Sequence, residues 1–269
     1  MTGGDRQVSS LEWNNGVTIS LADTVSVVIG ASEGIGAAIA LGLARAGSRV
    51  VAGGRDPVRM AETVAAAEQA GHAIHVETVD VRRPESVAAF AGAVTGRHGA
   101  PTILVNSMGG SLVKEIADVE VAEWDDLHHT HLRGTFLVCQ AFAPAMAARG
   151  YGKIINLSSL AGFRVTPRRG VYAVAKAGLN HLTRALAAEW GAQGIRVNCI
   201  APTTTRTPRA SANMLKDPDR EARIVARTPL GRIAEPEDMV GPALFLASRL
   251  SDFVTGQTIA VDGGQLAGG

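Results

Sequence analysis

Tyr172 and Lys176 stand four residues apart, and Ser159 lies thirteen residues upstream of the tyrosine. Together they offer a phenol, an ammonium and a hydroxyl, the groups needed to pass one proton to or from a substrate oxygen. On a helix, positions i and i+4 share a face, so the two side chains would point into the same space. Ser159 follows the apolar run Lys153-Ile154-Ile155-Asn156-Leu157, which reads as a buried strand. Open α/β sheets build their sites where strand ends face helix starts. A free tyrosine titrates near ~10 and each pKa unit is worth about 1.36 kcal/mol, so proton exchange near neutral pH needs roughly 4 kcal/mol of help for the phenolate. One ammonium at about 4 Å supplies that order at an effective dielectric of ~20. The serine hydroxyl could then donate to a developing substrate oxyanion. The Tyr-Lys spacing alone recurs by chance on any helix surface and gains meaning only beside a cofactor site.

The chain supplies one. Thr24-Val25-Ser26-Val27-Val28-Ile29 reads as the first buried strand of a parallel sheet. It runs into Gly30-Ala31-Ser32-Glu33-Gly34-Ile35-Gly36 and then a helical stretch that Gly47 closes. Three glycines in a strand-to-helix turn let backbone amides approach a pyrophosphate at the positive end of the helix. A tight turn without a ligand is the alternative reading of the glycines alone.

The elements that must position these residues alternate along the chain. Strands are expected near 24–30, 48–53, 73–79, 102–106, 152–158, 194–200 and 257–261, and helices near 34–46, 57–70, 84–98, 120–148, 171–191, 209–226 and 236–248. That order predicts an α/β fold, a single doubly wound parallel β-sheet of Rossmann type with helices on both faces. Residues 1–20 form an N-terminal extension. Trp13-Asn14-Asn15-Gly16 is suited to turn a small hairpin, and the first ten residues are expected to be mobile. With 269 residues, 46% of them hydrophobic, the chain can bury one sizeable core. A net charge of +1 gives no electrostatic reason to expect nucleic acid or an anionic membrane as partner. Cys139 and Cys199 lie in apolar runs and read as buried free thiols. Neither a signal peptide nor a membrane helix is legible, so a cytoplasmic setting is expected.

On these residues the chain resembles the short-chain dehydrogenase/reductase family from Leu21 to Gly264. Asp80-Val81 resembles the family's adenine contact, and Asn106-Ser107-Met108-Gly109 stands where Asn-Asn-Ala-Gly is usual. Arg196-Val197-Asn198-Cys199-Ile200-Ala201-Pro202 resembles the strand leading to the nicotinamide, and Val261-Asp262-Gly263-Gly264 the closing segment. The resemblance implies catalysis by Ser159, Tyr172 and Lys176. It implies cofactor contacts from Gly30, Ser32, Glu33, Gly34, Ile35, Gly36, Asp80, Val81, Asn106, Tyr172, Lys176, Pro202 and Thr207. A substrate lid is expected near 203–230, and a homotetramer built through the helices at 120–148 and 171–191.

Cofactor choice rests on the end of the second strand. An NAD site wants a carboxylate there, whereas this chain has Gly54 followed by Arg55, a guanidinium suited to the 2′-phosphate of NADP. Asp56 is the counter-reading, but the adjacent Pro57 favours a helix-capping role. Glu33 stands where NADP-using members often carry a base. The expected cofactor is NADP, with NAD as the alternative.

Three positions depart from the family pattern. His131 replaces the fourth catalytic residue, an asparagine; an imidazole that titrates near neutral pH would make the proton relay pH-dependent, or it simply packs. Thr203 replaces a glycine near the nicotinamide, where a shifted loop or a tighter pocket is expected. Ile29 replaces a threonine. His128, His129 and His131 lack the converging ligands a zinc site needs, so no metal is predicted. Arg164, Arg168 and Arg169 would overhang the substrate, selecting an acidic group or serving as a solvated loop. Arg206, Arg209, Arg220, Arg223 and Arg227 read as a solvated lid face in preference to a phosphate clamp. The expected activity interconverts a small-molecule ketone and a secondary alcohol, with reduction favoured. A β-ketoacyl thioester, sugar, steroid-like or polyketide-like substrate is open, and a dinucleotide-binding sensor or scaffold with little turnover is the alternative.

Overall fold

A computed structural model of the chain describes residues 11–12, 18–214, 217 and 219–268. Short β-branched runs become the strands β1 (Leu11–Glu12), β2 (Thr18–Ile19), β3 (Val25–Ile29), β4 (Arg49–Gly54), β5 (Ile74–Thr78), β6 (Ile103–Asn106), β7 (Gly152–Leu157), β8 (Ile195–Pro202) and β9 (Thr258–Val261). The last seven form one parallel sheet in the order β5-β4-β3-β6-β7-β8-β9. The order reverses between β3 and β6, which places a ligand crevice beyond their C-terminal ends. Each predicted strand is present within two residues of its expected ends. β1 and β2 pair antiparallel, Leu11 with Ile19 and Glu12 with Thr18, as a hairpin would. The expected turn at Trp13–Gly16 and the first ten residues lie outside the described residues. Ile19 is buried with Leu21 against the main core.

The helices are α1 (Gly34–Arg45), α2 (Ala61–Gln69), α3 (Pro84–His98), α4 (Val121–His128), α5 (Gly134–Ala148), α6 (Gly170–Trp190), α7 (Pro208–Met214), α8 (Asp219–Ala226) and α9 (Val240–Ala247). One apolar cluster joins α1 and α9 to one face of the sheet, and another joins α3, α5 and α6 to the other. Two predicted helices are interrupted. The helix expected over 120–148 contains a π-helical turn at His129–Arg133 between α4 and α5. Such turns add one residue to the helical circuit and re-aim the side chains they carry. The lid helix expected over 209–226 is two helices, α7 and α8.

Candidate active site

At the switch point the turn from β3 into α1 is glycine-built for steric reasons. Gly30 has φ +84°, and a Cβ there would lie 2.7 Å from the Ser107 carbonyl oxygen; one on Gly36 would lie 2.1 Å from the Gly30 oxygen. Gly34, at φ +58°, sits under the Thr207 methyl, 2.8 Å from where a Cβ would be. Glu33 precedes α1 but makes no side-chain cap, and the first turn holds no acidic residue. The orphan amides at this helix start therefore face the cleft uncovered. A pyrophosphate fits that cradle. The cleft, about 1280 Å³, is lined by Gly30, Ser32, Glu33, Gly34, Ile35 and Gly36, and further along by Arg55, Asp80, Val81, Pro202 and Thr207.

At one end of the cleft β4 stops at Gly54, and Arg55 is exposed beside it. Asp56 accepts the Val58 amide at 3.0 Å, although the cap position of the short helical turn that follows falls on Pro57 rather than on Asp56. Arg82 holds Asp80 in a fork, Nε to Oδ1 at 3.0 Å and Nη2 to Oδ2 at 2.8 Å. That pairing pulls the Asp80 carboxyl down to about 2. Asn106 departs from expectation. Its side chain does not line the cleft but turns into the sheet, donating to Asn156 Oδ1 at 2.9 Å and to Cys139 Sγ at 3.4 Å. Asn156 passes the chain on to Thr183, which meets Cys199 Sγ at 3.0 Å. Both cysteines are thus buried free thiols at the ends of one polar network.

At the other end α6 carries Tyr172 and Lys176 on one face, with Lys176 Nζ 5.7 Å from the Tyr172 ring centroid. The buried ammonium donates to the Leu157 carbonyl at 2.6 Å, at the end of β7. Ser159, two residues on, accepts the Ala161 amide at 3.1 Å and hydrogen-bonds the Tyr172 phenol. The three predicted side chains are therefore brought together. Their electrostatics differ from the expected ones. Burial raises the Tyr172 pKa above its ordinary value, and the opposing influences are the Ser159 hydrogen bond, Arg169 and Arg209. Lys176 is itself pushed down to about 8 by burial. Desolvation of both groups outweighs the expected help from one ammonium.

His131 lies on the π-helical turn and is 3% exposed. Its Nε2 meets the Gly110 carbonyl at 2.7 Å, an acceptor, so Nε2 carries the hydrogen and Nδ1 keeps its lone pair. Nδ1 is buried without a partner among the described residues. Desolvation, then the nearby Lys176 charge, pushes this imidazole down to about 3. The expectation of a relay that titrates near neutrality is therefore corrected: the ring is neutral throughout that range. His128 turns away, its Nδ1 donating to the Trp124 carbonyl at 2.9 Å and its ring stacking on that of Trp124, so the histidines diverge. Thr203 needs no strain either. Among the described non-glycine residues only Asp23 and Arg168 have positive φ.

The arginines divide unexpectedly. Arg206 pairs with Glu221 at 2.8 Å and Glu235 at 3.0 Å, and Arg223 pairs with Asp217, as a solvated face would. Arg209 and Arg220 instead line the cleft, Arg209 donating to the Gly109 carbonyl at 3.1 Å and lying 3.8 Å from Glu33. In the substrate loop Arg164 donates to Gln265 at 3.1 Å, Arg168 faces Glu115 at 3.7 Å, and Arg169 lines the cleft.

A family model described as enoyl-(acyl carrier protein) reductase matches residues 30–265. The 2-dehydro-3-deoxy-D-gluconate 5-dehydrogenase of Escherichia coli is 37% identical over 249 residues, 92% of this chain and 97% of the relative. The chain belongs to the short-chain dehydrogenase/reductase family. Another member, gluconate 5-dehydrogenase of Gluconobacter oxydans, is 34% identical and covers 91% of this chain and 95% of its own. The solved gluconate 5-dehydrogenase of Burkholderia cenocepacia, in complex with NADP and tartrate, superposes with a TM-score of 0.88 at 34% identity, over 93% of this chain and 97% of that one. As a short-chain dehydrogenase/reductase the chain is an oxidoreductase, and its relatives are named for acting on hydroxyl or keto groups.

Proposed function

We propose that this short-chain dehydrogenase/reductase interconverts a ketone and a secondary alcohol with NADP, with NAD as the weaker cofactor. The observation that carries the reading is the meeting of Ser159, Tyr172 and Lys176 at the open end of a glycine cradle that side chains cannot enter. A bound nicotinamide supplies or accepts the hydride at the substrate carbon. Tyr172 gives its proton to the nascent alkoxide during reduction, or takes it from the alcohol during oxidation. Its raised pKa keeps the phenol protonated, which suits the donor role and reduction. Ser159 orients the substrate oxygen against Tyr172. Lys176, anchored on Leu157, would hold the nicotinamide ribose, and its ammonium lies 5.7 Å from the centre of the phenol ring. The absent carboxylate at Gly54 and the exposed Arg55 favour the 2′-phosphate of NADP.

His131 stands in for the family's asparagine as a neutral hydrogen-bonding group. Its Nδ1 is buried without a partner among the described residues and the ring feels the Lys176 charge, so a water could accept from the ammonium and donate to the ring. The Ile116, Val121, Trp124 and Val174 side chains are exposed around the junction of α4 and α6, which supports assembly through these helices into a homotetramer. The buried free thiols accord with a cytoplasmic setting, and no described helix is long and apolar enough to cross a membrane.

The relatives named above act on sugar acids, and others are named for galactose, galactitol, a hydroxycyclohexanecarboxylate and a γ-butyrolactone. A polyhydroxy acid of the gluconate type is the first candidate from these names. The reading is tested by following NADPH and NADH oxidation across a panel of keto acids, keto sugars, cyclic ketones and β-ketoacyl thioesters. At least one ketone should be reduced, faster with NADPH. A protein that binds NADPH but reduces none would instead be a dinucleotide sensor.

A further inference from the structure

The cleft is lined by seven arginines, Arg55, Arg59, Arg82, Arg164, Arg169, Arg209 and Arg220, and by five acids, Glu33, Asp56, Asp80, Glu123 and Asp126. The acids are committed elsewhere. Asp80 and Asp126 hold Arg82, Glu123 holds Lys114 at 2.7 Å, Asp56 accepts the Val58 amide, and Glu33 lies 3.8 Å from both Arg59 and Arg209. Arg169 and Arg220 line the same cleft as Tyr172, and among the described residues neither is paired with a carboxylate.

These two arginines are unlike the rest. Arg169 is half-buried immediately before α6, three residues from Tyr172. The charges that reach it are those of Arg220 and the phenol, with no carboxylate among them. A guanidinium withdrawn from water beside a second cation is costly unless an anion joins them. The backbone also aims it. Arg168 has φ +65°, a left-handed conformation that a long side chain adopts only under constraint. The Arg168 carbonyl is fixed by the Lys114 amide at 2.8 Å, and its guanidinium is directed to Glu115. Arg168 is thus turned towards Glu115, while the next residue, Arg169, lines the cleft that also holds Tyr172. Arg220 reaches the same space from α8, in the lid.

We infer that the substrate carries a carboxylate, which Arg169 and Arg220 hold from two sides, one on the fixed loop and one on the lid. This rests on the reading of the site as an alcohol/ketone oxidoreductase and adds what distinguishes its substrate. Guanidinium forks match a carboxylate's two oxygens, so the pair selects an acid over its neutral derivatives and fixes which carbon faces Tyr172. Because the lid contributes one of the two, an acid also draws α8 towards α6 and shields the reacting carbon from water.

The experiment is calorimetric titration of the NADP-loaded protein with gluconate, tartrate and cis-4-hydroxycyclohexanecarboxylate, each beside its amide. At least one acid should bind roughly tenfold or more tightly than its amide. In Arg169→Gln and Arg220→Gln that ratio should fall towards one, whereas Arg168→Gln, whose side chain points outward, should keep it. Arg169→Lys should restore part of it, which also shows that the loop still folds. Equal binding of acid and amide across the panel, or an undiminished preference in both glutamine variants, overturns the inference. Binding does not require turnover. An acid preference without any NADPH formation would leave the anion site standing and remove the proposed reaction, while equal oxidation of acid and amide would do the reverse.

Discussion

His131 stands edge-on to Tyr172, their ring centroids 5.5 Å apart and their planes at 83°, while its Nε2 is held by the Gly110 carbonyl. The histidine is therefore locked in one neutral tautomer against the Tyr172 ring. The asparagine that the family resemblance leads one to expect here donates and accepts without titrating, and burial keeps this imidazole neutral as well.

Acid stability reports that burial. In the folded chain His131 titrates at about 3, against an ordinary 6.5. Between those values the unfolded chain holds a proton that the native one does not, so native stability falls as pH drops from about 6.5 towards 3, by at most about 1.4 kcal/mol per pH unit. Urea unfolding across this range should show a shallower loss for His131→Asn than for the parent. Identical slopes would mean that the ring is solvated.

Gly109 is required by the same ring. It has φ +120°, and a Cβ would lie 2.0 Å from His131 Cε1. Gly109→Ala should destabilise the protein by roughly 2 kcal/mol or more through backbone strain and the clash. The change should cost less in a His131→Ala background, because the steric part disappears. Denaturation of the four proteins in a double-mutant cycle measures the difference.

Cofactor choice should follow Arg55 and Gly54. Arg55→Ala should weaken NADPH binding about tenfold and leave NADH almost unchanged. Gly54→Asp places a carboxylate at the end of β4, where a Cβ meets only the flexible Met60 end at 3.4 Å. That variant should favour NADH. Fluorescence titration with both nucleotides checks each ratio.

Lys176 gives the cofactor affinity a pH limit. With its pKa pushed down to about 8, the ammonium is charged below that value and neutral above it. NADPH affinity should weaken as pH rises through about 8, and Lys176→Met should lack that inflection. An unchanged inflection in the variant would assign it to another group.

The parallel sheet was legible in the sequence because each buried strand is a short β-branched run, and the glycine cradle because its steric demand leaves no other residue. The meeting of Ser159, Tyr172 and Lys176 followed from strand end and helical period alone. Directions were harder to read. The turn at His129–Arg133 shifts the helix by one residue, too little to disturb an apolar pattern. Asn106 occupies a resembled position yet faces Asn156, since a motif gives placement and not orientation. The break in the lid did have a signal, Pro218, which disfavours helix at the residue before it. Arg169 and Arg168 looked alike in sequence, and a single positive φ separates them. The raised Tyr172 pKa depends on burial by distant segments that no local spacing reports.

Tyr172→Phe removes only the hydroxyl that would carry the proton beside a bound nicotinamide. With a ketone that the parent protein reduces, the variant should bind NADPH with parental affinity while its turnover falls by roughly 10²–10⁴. Turnover within a few-fold of the parent would contradict the account.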